Sequence, residues 1–219
     1  LEGSIASMET LQSSLSDNDD KEAASQVVTA ARSRLNMLDA GVSIIEESLM
    51  ATEAFLKARS GWNAVINADA AVREATALAE EMSKENILAS QAKGNEALAF
   101  LEEAQQDFSQ AEAAYPSLDL AAFKAYVAKR IESQQAALAA DEAYLSRNKE
   151  ELEAQNSRYN ALEEEAAALA QKLGEDDPEQ IVALRFYEEI EADQGAYEAE
   201  RLKAGNADAF LREYLGTAS

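Results

Sequence analysis

The sequence predicts an all-α fold: an elongated antiparallel bundle of about four long helices with coiled-coil-like seams. Two bundles stacked end to end are the alternative. Three observations predict it. The chain holds 47 alanines but only 8 glycines and 2 prolines in 219 residues, and alanine costs least in a helix while glycine and proline cost most. Apolar residues recur at steps of three and four over stretches longer than an ordinary helix. The few glycines and prolines stand apart from one another, where helix ends or kinks would fall.

Residues 1–20 are polar and rich in Ser and Asp; Ile5, Met8, Leu11 and Leu15 suggest a short, frayed helix in a flexible segment. The single helical-bundle domain is expected over 21–216. "SDNDDKE" (16–22) is a helix start, with acids in the first turn where the macrodipole favours them. Val28, Ala31, Leu35, Leu38, Val42, Ile45, Leu49, Thr52 and Leu56 then form a continuous heptad seam, the signature of a first long helix. Its end is expected near "RSGW" (59–62), with Gly61 as a left-handed cap.

A second helix is expected from about Asn67 to Tyr115. Its early seam (Val65, Val72, Ala79, Met82) and later seam (Gly94, Ala97, Leu101, Ala104, Phe108, Ala111, Tyr115) do not share a register. A stutter or kink is therefore expected at 84–95, centred on Lys93-Gly94-Asn95. Pro116 ends this helix by removing a donor and disfavouring helix at Tyr115. Ser117 or Asp119 would cap the next.

The third helix, about 118–173, would be the longest, on the order of 80 Å. Ile131, Leu138, Leu145, Leu152, Tyr159, Ala166 and Leu173 fall at strict intervals of seven. "KLGEDDPEQ" (172–180) marks a turn, with Gly174 as C-terminal cap, Asp177 as N-cap and Pro178 at the first helical position. A last helix follows to about 203, a break at Gly205-Asn206, and a short helix over 207–215 ending at Gly216. Four triplets read Ala, aromatic, Leu (54–56, 99–101, 143–145, 209–211) and suggest one packing solution used repeatedly.

Charge narrows the partners. There are 19 basic and 42 acidic residues, a net of −23. Residues 150–200 hold 16 acids and 3 bases, whereas 111–149 hold 5 of each. Such a field repels phosphate backbones and anionic headgroups. No nucleic-acid partner is expected; a protein partner, of basic character, fits better, and a homodimer is a second association the seams allow. No window approaches 18 apolar residues, so this segment is not expected to insert into a bilayer.

There is no His and no Cys, which removes the usual general base and the best nucleophile. No Gly-rich phosphate loop or nucleophile elbow occurs. An enzyme is not expected, nor a cofactor or metal site. "DNDD" (17–20) looks superficially like a calcium loop, but the required Gly and Glu positions fall on Glu22 and Val28. "GEDD" (174–177) reads as turn and cap.

One stretch carries the candidate site. In 134–156 the seven-residue apolar row lacks apolar companions; those positions hold Gln134 and Gln135, Asp141 and Glu142, Asn148 and Lys149, and Gln155 and Asn156. Two readings are open. The polar companions are solvated, or they face inward and line a polar pocket between helices. In the second reading Arg130, Gln134, Asp141, Tyr144 and Asn148 are the ligand-binding residues, and Asp141, Glu142 and Tyr144 could hold a cationic or amine ligand.

The alanine-rich helical composition resembles that of stalks and of adhesive or sensory modules of bacterial envelope proteins. The expected function is a non-enzymatic structural or protein-interaction module, a spacer or scaffold of a cell-envelope or surface protein. The alternative is an extracytoplasmic small-ligand sensor domain of chemoreceptor-like helical-bundle type. The start at Leu1 reads as a processed product or an excised piece, to which a signal peptide, lipid anchor or membrane helix could have been joined. Lack of Cys fits an extracytoplasmic or cell-surface setting and is equally compatible with a cytoplasmic one.

Overall fold

The computed structural model describes residues 2–174 and 177–216. It is an all-α bundle, and no strand occurs among the described residues. Among the described residues six helices follow in order: α1 (Glu2–Ser14), α2 (Asn18–Ala79), α3 (Lys84–Ala114), α4 (Ala121–Leu145), α5 (Lys149–Leu173) and α6 (Pro178–Tyr214). They form two compact units. One holds residues 1–49 and 186–219; the other holds 50–185.

The unit of residues 50–185 has the denser core. α4 packs on both α3 and α5. Leu101, Phe108, Leu120, Phe123 and Val127 are fully buried there, beside Ala54, Ala58, Ala68, Ala97, Ala104 and Ala136. Trp62 meets Phe123 edge-on at 5.6 Å, and Phe108 meets Phe123 at 5.8 Å. Alanine lets the helices approach, and these rings fill the remaining volume.

Gly61 does not cap a helix. α2 runs through it to Ala79, and Gly61 is a crossing point: a Cβ there would lie 2.9 Å from the Phe108 ring and 3.2 Å from the Ala104 carbonyl. Gly94 likewise lies inside α3, not at a kink; a Cβ there would lie 2.6 Å from Gln134 Nε2 and 2.8 Å from Leu138 Cδ2. The register change instead reflects a true break at 80–83. Met82 takes a left-handed φ of 46°, and the Ser83 side chain caps α3 by accepting from Asn86 N–H at 3.1 Å.

Tyr115-Pro116 ends α3 as expected. The start of α4 is held by Asp119, which accepts from Ala121 N–H at 2.9 Å, and by Glu112, which accepts from Leu120 N–H at 2.8 Å. Ser117 has no part in it.

The expected third helix is two helices, and "SRN" (146–148) is the hairpin turn between them. Arg147 adopts φ 60°. Asn148 N–H reaches back to Ala143 O at 2.8 Å and Arg147 N–H to Tyr144 O at 3.0 Å, which is the paired bonding of a Schellman ending. Asn148 at once caps α5, accepting from Glu151 N–H at 3.2 Å. The seven-residue row is thus split, with Ile131, Leu138 and Leu145 on α4 and the rest on α5.

α5 ends at Gly174, with φ 65°, and Asp177 caps α6 by accepting from Gln180 N–H at 2.7 Å. Both match expectation, though Glu175 and Asp176 of the expected turn lie outside the described residues. α6 passes through Gly205-Asn206 without a break. Its neighbours Ala204 and Ala207 are buried, so packing holds the helix across two poor helix formers.

The other unit comprises α1, the α2 segment 18–49 and the α6 segment 186–214. "DNDD" caps α2: Asp17 accepts from Asp19 N–H at 2.8 Å. Polar side chains tie α2 to α6. Asp20 pairs with Tyr214, Arg34 with Asp208, and Ser43 donates to Asp193 at 2.5 Å. Partner numbers fall as α2 numbers rise, so the two segments run antiparallel. Ser33 is buried on this face. The expected seam is covered only at its start, where Val28 is buried; Leu38, Val42, Ile45 and Leu49 are 56, 53, 61 and 66% exposed. The Ala-aromatic-Leu triplets share no common solution either. Ala54 is buried with Leu56 exposed, whereas Leu101 is buried with Ala99 exposed.

Candidate functional site

The five candidate residues all lie in the unit of residues 50–185, but they fall into two places. Arg130, Gln134 and Asp141 lie at i, i+4 and i+11 of α4 and so share one face, with Asp141 two turns beyond Gln134. Tyr144 and Asn148 lie around the hairpin turn.

Arg130 is an internal tie. Its Nη2 meets Asp69 Oδ1 of α2 at 2.8 Å, and its Nη1 lies 3.7 Å from Glu163 Oε2 of α5. Glu163 also accepts from the buried Ser133 hydroxyl. Burial pushes the phenol of Tyr126 above its usual range, against the opposing pull of Arg130. Tyr159 is pushed the same way by burial and by Glu163. The guanidinium therefore faces two carboxylates at once and has no charge to spare.

One turn on, Gln134 is only 4% exposed. It reaches that depth because Gly94 presents no side chain, so α3 backbone lies against the amide. Next comes Asp141, half-buried, whose Oδ2 accepts from Ser90 Oγ at 2.9 Å. Burial pushes the Asp141 carboxyl up from its ordinary value, and the Ser90 hydrogen bond opposes the shift. Gln134, Asp141 and Ser90 share a cavity of about 210 Å³ with Tyr159. Val72, Ala75 and Ala79 of α2 and Ala137 and Ala140 of α4 wall it, and exposed Thr76 and Asn156 stand at its rim.

Tyr144 and Asn148 line a different cavity, of about 460 Å³, ringed by Lys84, Arg147 and Lys149. Both side chains are engaged: the Tyr144 hydroxyl donates to Met82 C=O, and Asn148 caps α5. The cationic ring makes this the wrong environment for an ammonium ligand. Tyr144 and Asp141 therefore do not share a site, and Glu142 is exposed.

Sequence reasoning missed Ser90 and Tyr159 as parts of the Gln134–Asp141 cavity, and Gly94 as the position that lets Gln134 sink beside α3. They come from α3 and α5, and only the hairpin at 146–148 folds Tyr159 back alongside Asp141. The signal for that turn was present as Asn148 followed by Glu150 and Glu151, an N-cap with acids in the first turn.

The exposed seam on α2 is the second feature of note. In heptad terms Leu35, Val42 and Leu49 take position a, and Leu38 and Ile45 take d. Asp39 and Glu46, at the flanking e positions, are exposed and make no ion pair among the described residues. The opposite flank begins with Gly41. Among the described residues no helix is long and apolar enough to cross a membrane. Comparison of the chain with protein-family models, with curated proteins and with solved structures found no match.

Proposed function

We propose that this chain is a non-enzymatic protein-interaction module whose α2 seam receives a helix of a partner protein. One observation carries the reading: Leu38, Val42, Ile45 and Leu49 form an unbroken a/d row, and each is more than half exposed. Burying the exposed part of four such side chains is worth roughly 4–8 kcal/mol before association costs. That sum suits a transient contact more than a permanent one.

The acidic flank selects the partner. Asp39 and Glu46 would meet residues flanking the partner's own seam, so Lys or Arg there stabilises and Asp or Glu repels. A second copy of this chain is less suitable. Antiparallel self-pairing sets acid against acid, and parallel self-pairing sets acid against the Gly41 flank. The occupant is therefore an amphipathic helix of another protein, apolar at steps of three and four and flanked by basic residues. An extracytoplasmic or cell-surface setting belongs to the same proposal and rests on the compositional likeness to envelope stalks.

The test uses two synthetic helical peptides with the same leucine seam, one flanked by lysines and one by glutamates. The lysine peptide should bind, the glutamate peptide should not, and the Leu38→Glu/Ile45→Glu variant should lose binding while keeping its helical signal. Equal binding of both peptides, or of neither, would refute the reading. Dimerisation of the chain alone, abolished by the same variant, would reassign the seam to a second copy.

A further inference from the structure

We infer that the Gln134–Asp141 cavity is a binding site for a small organic ammonium ion. The inference is separate from the reading of the α2 seam. It involves only residues of the other unit.

The first support is a cavity-lining amide with no protein partner. Gln134 is more than nine-tenths buried and lines the cavity, yet it has no hydrogen-bond partner among the described residues. The side-chain atoms sealed from solvent without a partner do not include its amide, so a group entering the cavity that the amide lines can reach it.

The second support is charge. Asp141 is half-buried and receives one hydrogen bond, from a neutral serine. No cation pairs with it among the described residues. The nearest basic group along the helix face, Arg130, is engaged by Asp69 and Glu163. A carboxylate so placed lacks a positive counterpart, and burial makes that lack costlier than it would be on the surface. An ammonium group supplies both the charge for Asp141 and N–H donors for the amide oxygen of Gln134. The Tyr159 ring, also in the lining, favours a cation as well.

The third support is size and wall chemistry. At about 210 Å³ the cavity falls below the usual range of roughly 300–1,000 Å³ for drug-sized ligands. It suits an ammonium with a short aliphatic body, which the alanines and Val72 would cover. An anion would face Asp141 and is excluded on charge. The cavity ringed by Lys84, Arg147 and Lys149 has the opposite preference, which serves as an internal contrast.

The experiment titrates the chain with n-butylammonium and ethanolammonium, with butyrate and butyramide as charge-reversed and neutral controls of similar size. Thermal unfolding and the side-chain amide NMR signal of Gln134 are followed together. The ammonium ions should raise Tm and move the Gln134 signal; the controls should do neither. Asp141→Asn should weaken ammonium binding by about tenfold or more, the loss expected for one charge-assisted hydrogen bond. Gln134→Leu should weaken it less. The inference is overturned if neither ammonium moves the Gln134 signal at saturating excess, or if Asp141→Asn binds as the unaltered chain does. The NMR titration on the unaltered chain decides the matter even if a variant fails to fold.

Discussion

Replacing Gly61 with alanine places a methyl carbon 2.9 and 3.0 Å from two ring carbons of Phe108 and 3.2 Å from the Ala104 carbonyl oxygen. Comfortable carbon contacts begin near 3.5 Å. Relief is hard to find. The Phe108 ring is fully buried and backed by Phe123, and the carbonyl belongs to the α3 backbone. Overpacking of this kind costs about 1–3 kcal/mol. Against it stands the gain from replacing glycine within a helix, about 0.8–1 kcal/mol. The net is a destabilisation of about 1 kcal/mol. Gly205→Ala supplies the opposite case, because nothing lies within 4 Å of a Cβ there and α6 is continuous through it. It should stabilise by up to about 1 kcal/mol. Urea unfolding followed by circular dichroism reads both as shifts of the midpoint at constant m. Phe108→Leu should partly relieve the Gly61→Ala variant, so that the double variant loses less than the two single losses together. If Gly61→Ala stabilises as much as Gly205→Ala, the close crossing of α2 and α3 at this point is refuted. If Gly205→Ala destabilises, the continuity of α6 is refuted.

At the hairpin, Arg147→Gly should stabilise by about 0.5–1 kcal/mol, because the left-handed conformation at Arg147 strains any residue with a Cβ. Its neighbour Asn148→Ala should destabilise by about 1 kcal/mol through loss of the α5 cap; equal signs in urea unfolding would disprove the turn. Arg130→Met should cost about 3 kcal/mol, the lower end for breaking a buried pair, since Asp69 and Glu163 keep roughly a third of their surface in water. A loss below about 0.5 kcal/mol would mark the network as solvated. Asp141 should leave a pH signature. Its carboxyl is raised in the folded state, so its contribution to stability is fully present below the ordinary carboxylate range and is lost as pH rises through the raised value. The stability difference between Asp141→Asn and the unaltered chain should therefore grow in the variant's favour from about pH 4 upward; a difference independent of pH would contradict the burial of this group.

The all-helical class was legible in local terms. Alanine richness and scarcity of glycine and proline act on each residue's own backbone, and no partner is needed to read them. Strong local stops were legible for the same reason: Tyr115-Pro116, Gly174 and Asp177-Pro178 ended or began helices where expected. The softer turns were not. Met82-Ser83 and Ser146-Arg147-Asn148 use left-handed residues other than glycine. Their cost is met by caps and by packing of the helices on either side. Conversely, Gly61, Gly94 and Gly205 looked like breaks but lie inside helices, two of them as points of close approach.

By itself, then, the sequence determined that this chain is helical, acidic and free of His and Cys, because those properties are local or additive. Tertiary structure decided which face of each helix is covered. The heptad pattern on α2 is real, yet its polar face meets α6 through Ser43 and Asp193, while Leu38, Val42, Ile45 and Leu49 stay in water. Periodicity defines a stripe but not what lies against it. Gln134 and Asp141 likewise became parts of one cavity only when the turn at 146–148 brought α5 back along α4 and the bare backbone at Gly94 let α3 close over them. A polar residue at a seam position is solvated or enclosed according to the neighbouring helices, and their placement depends on contacts between residues far apart in the chain.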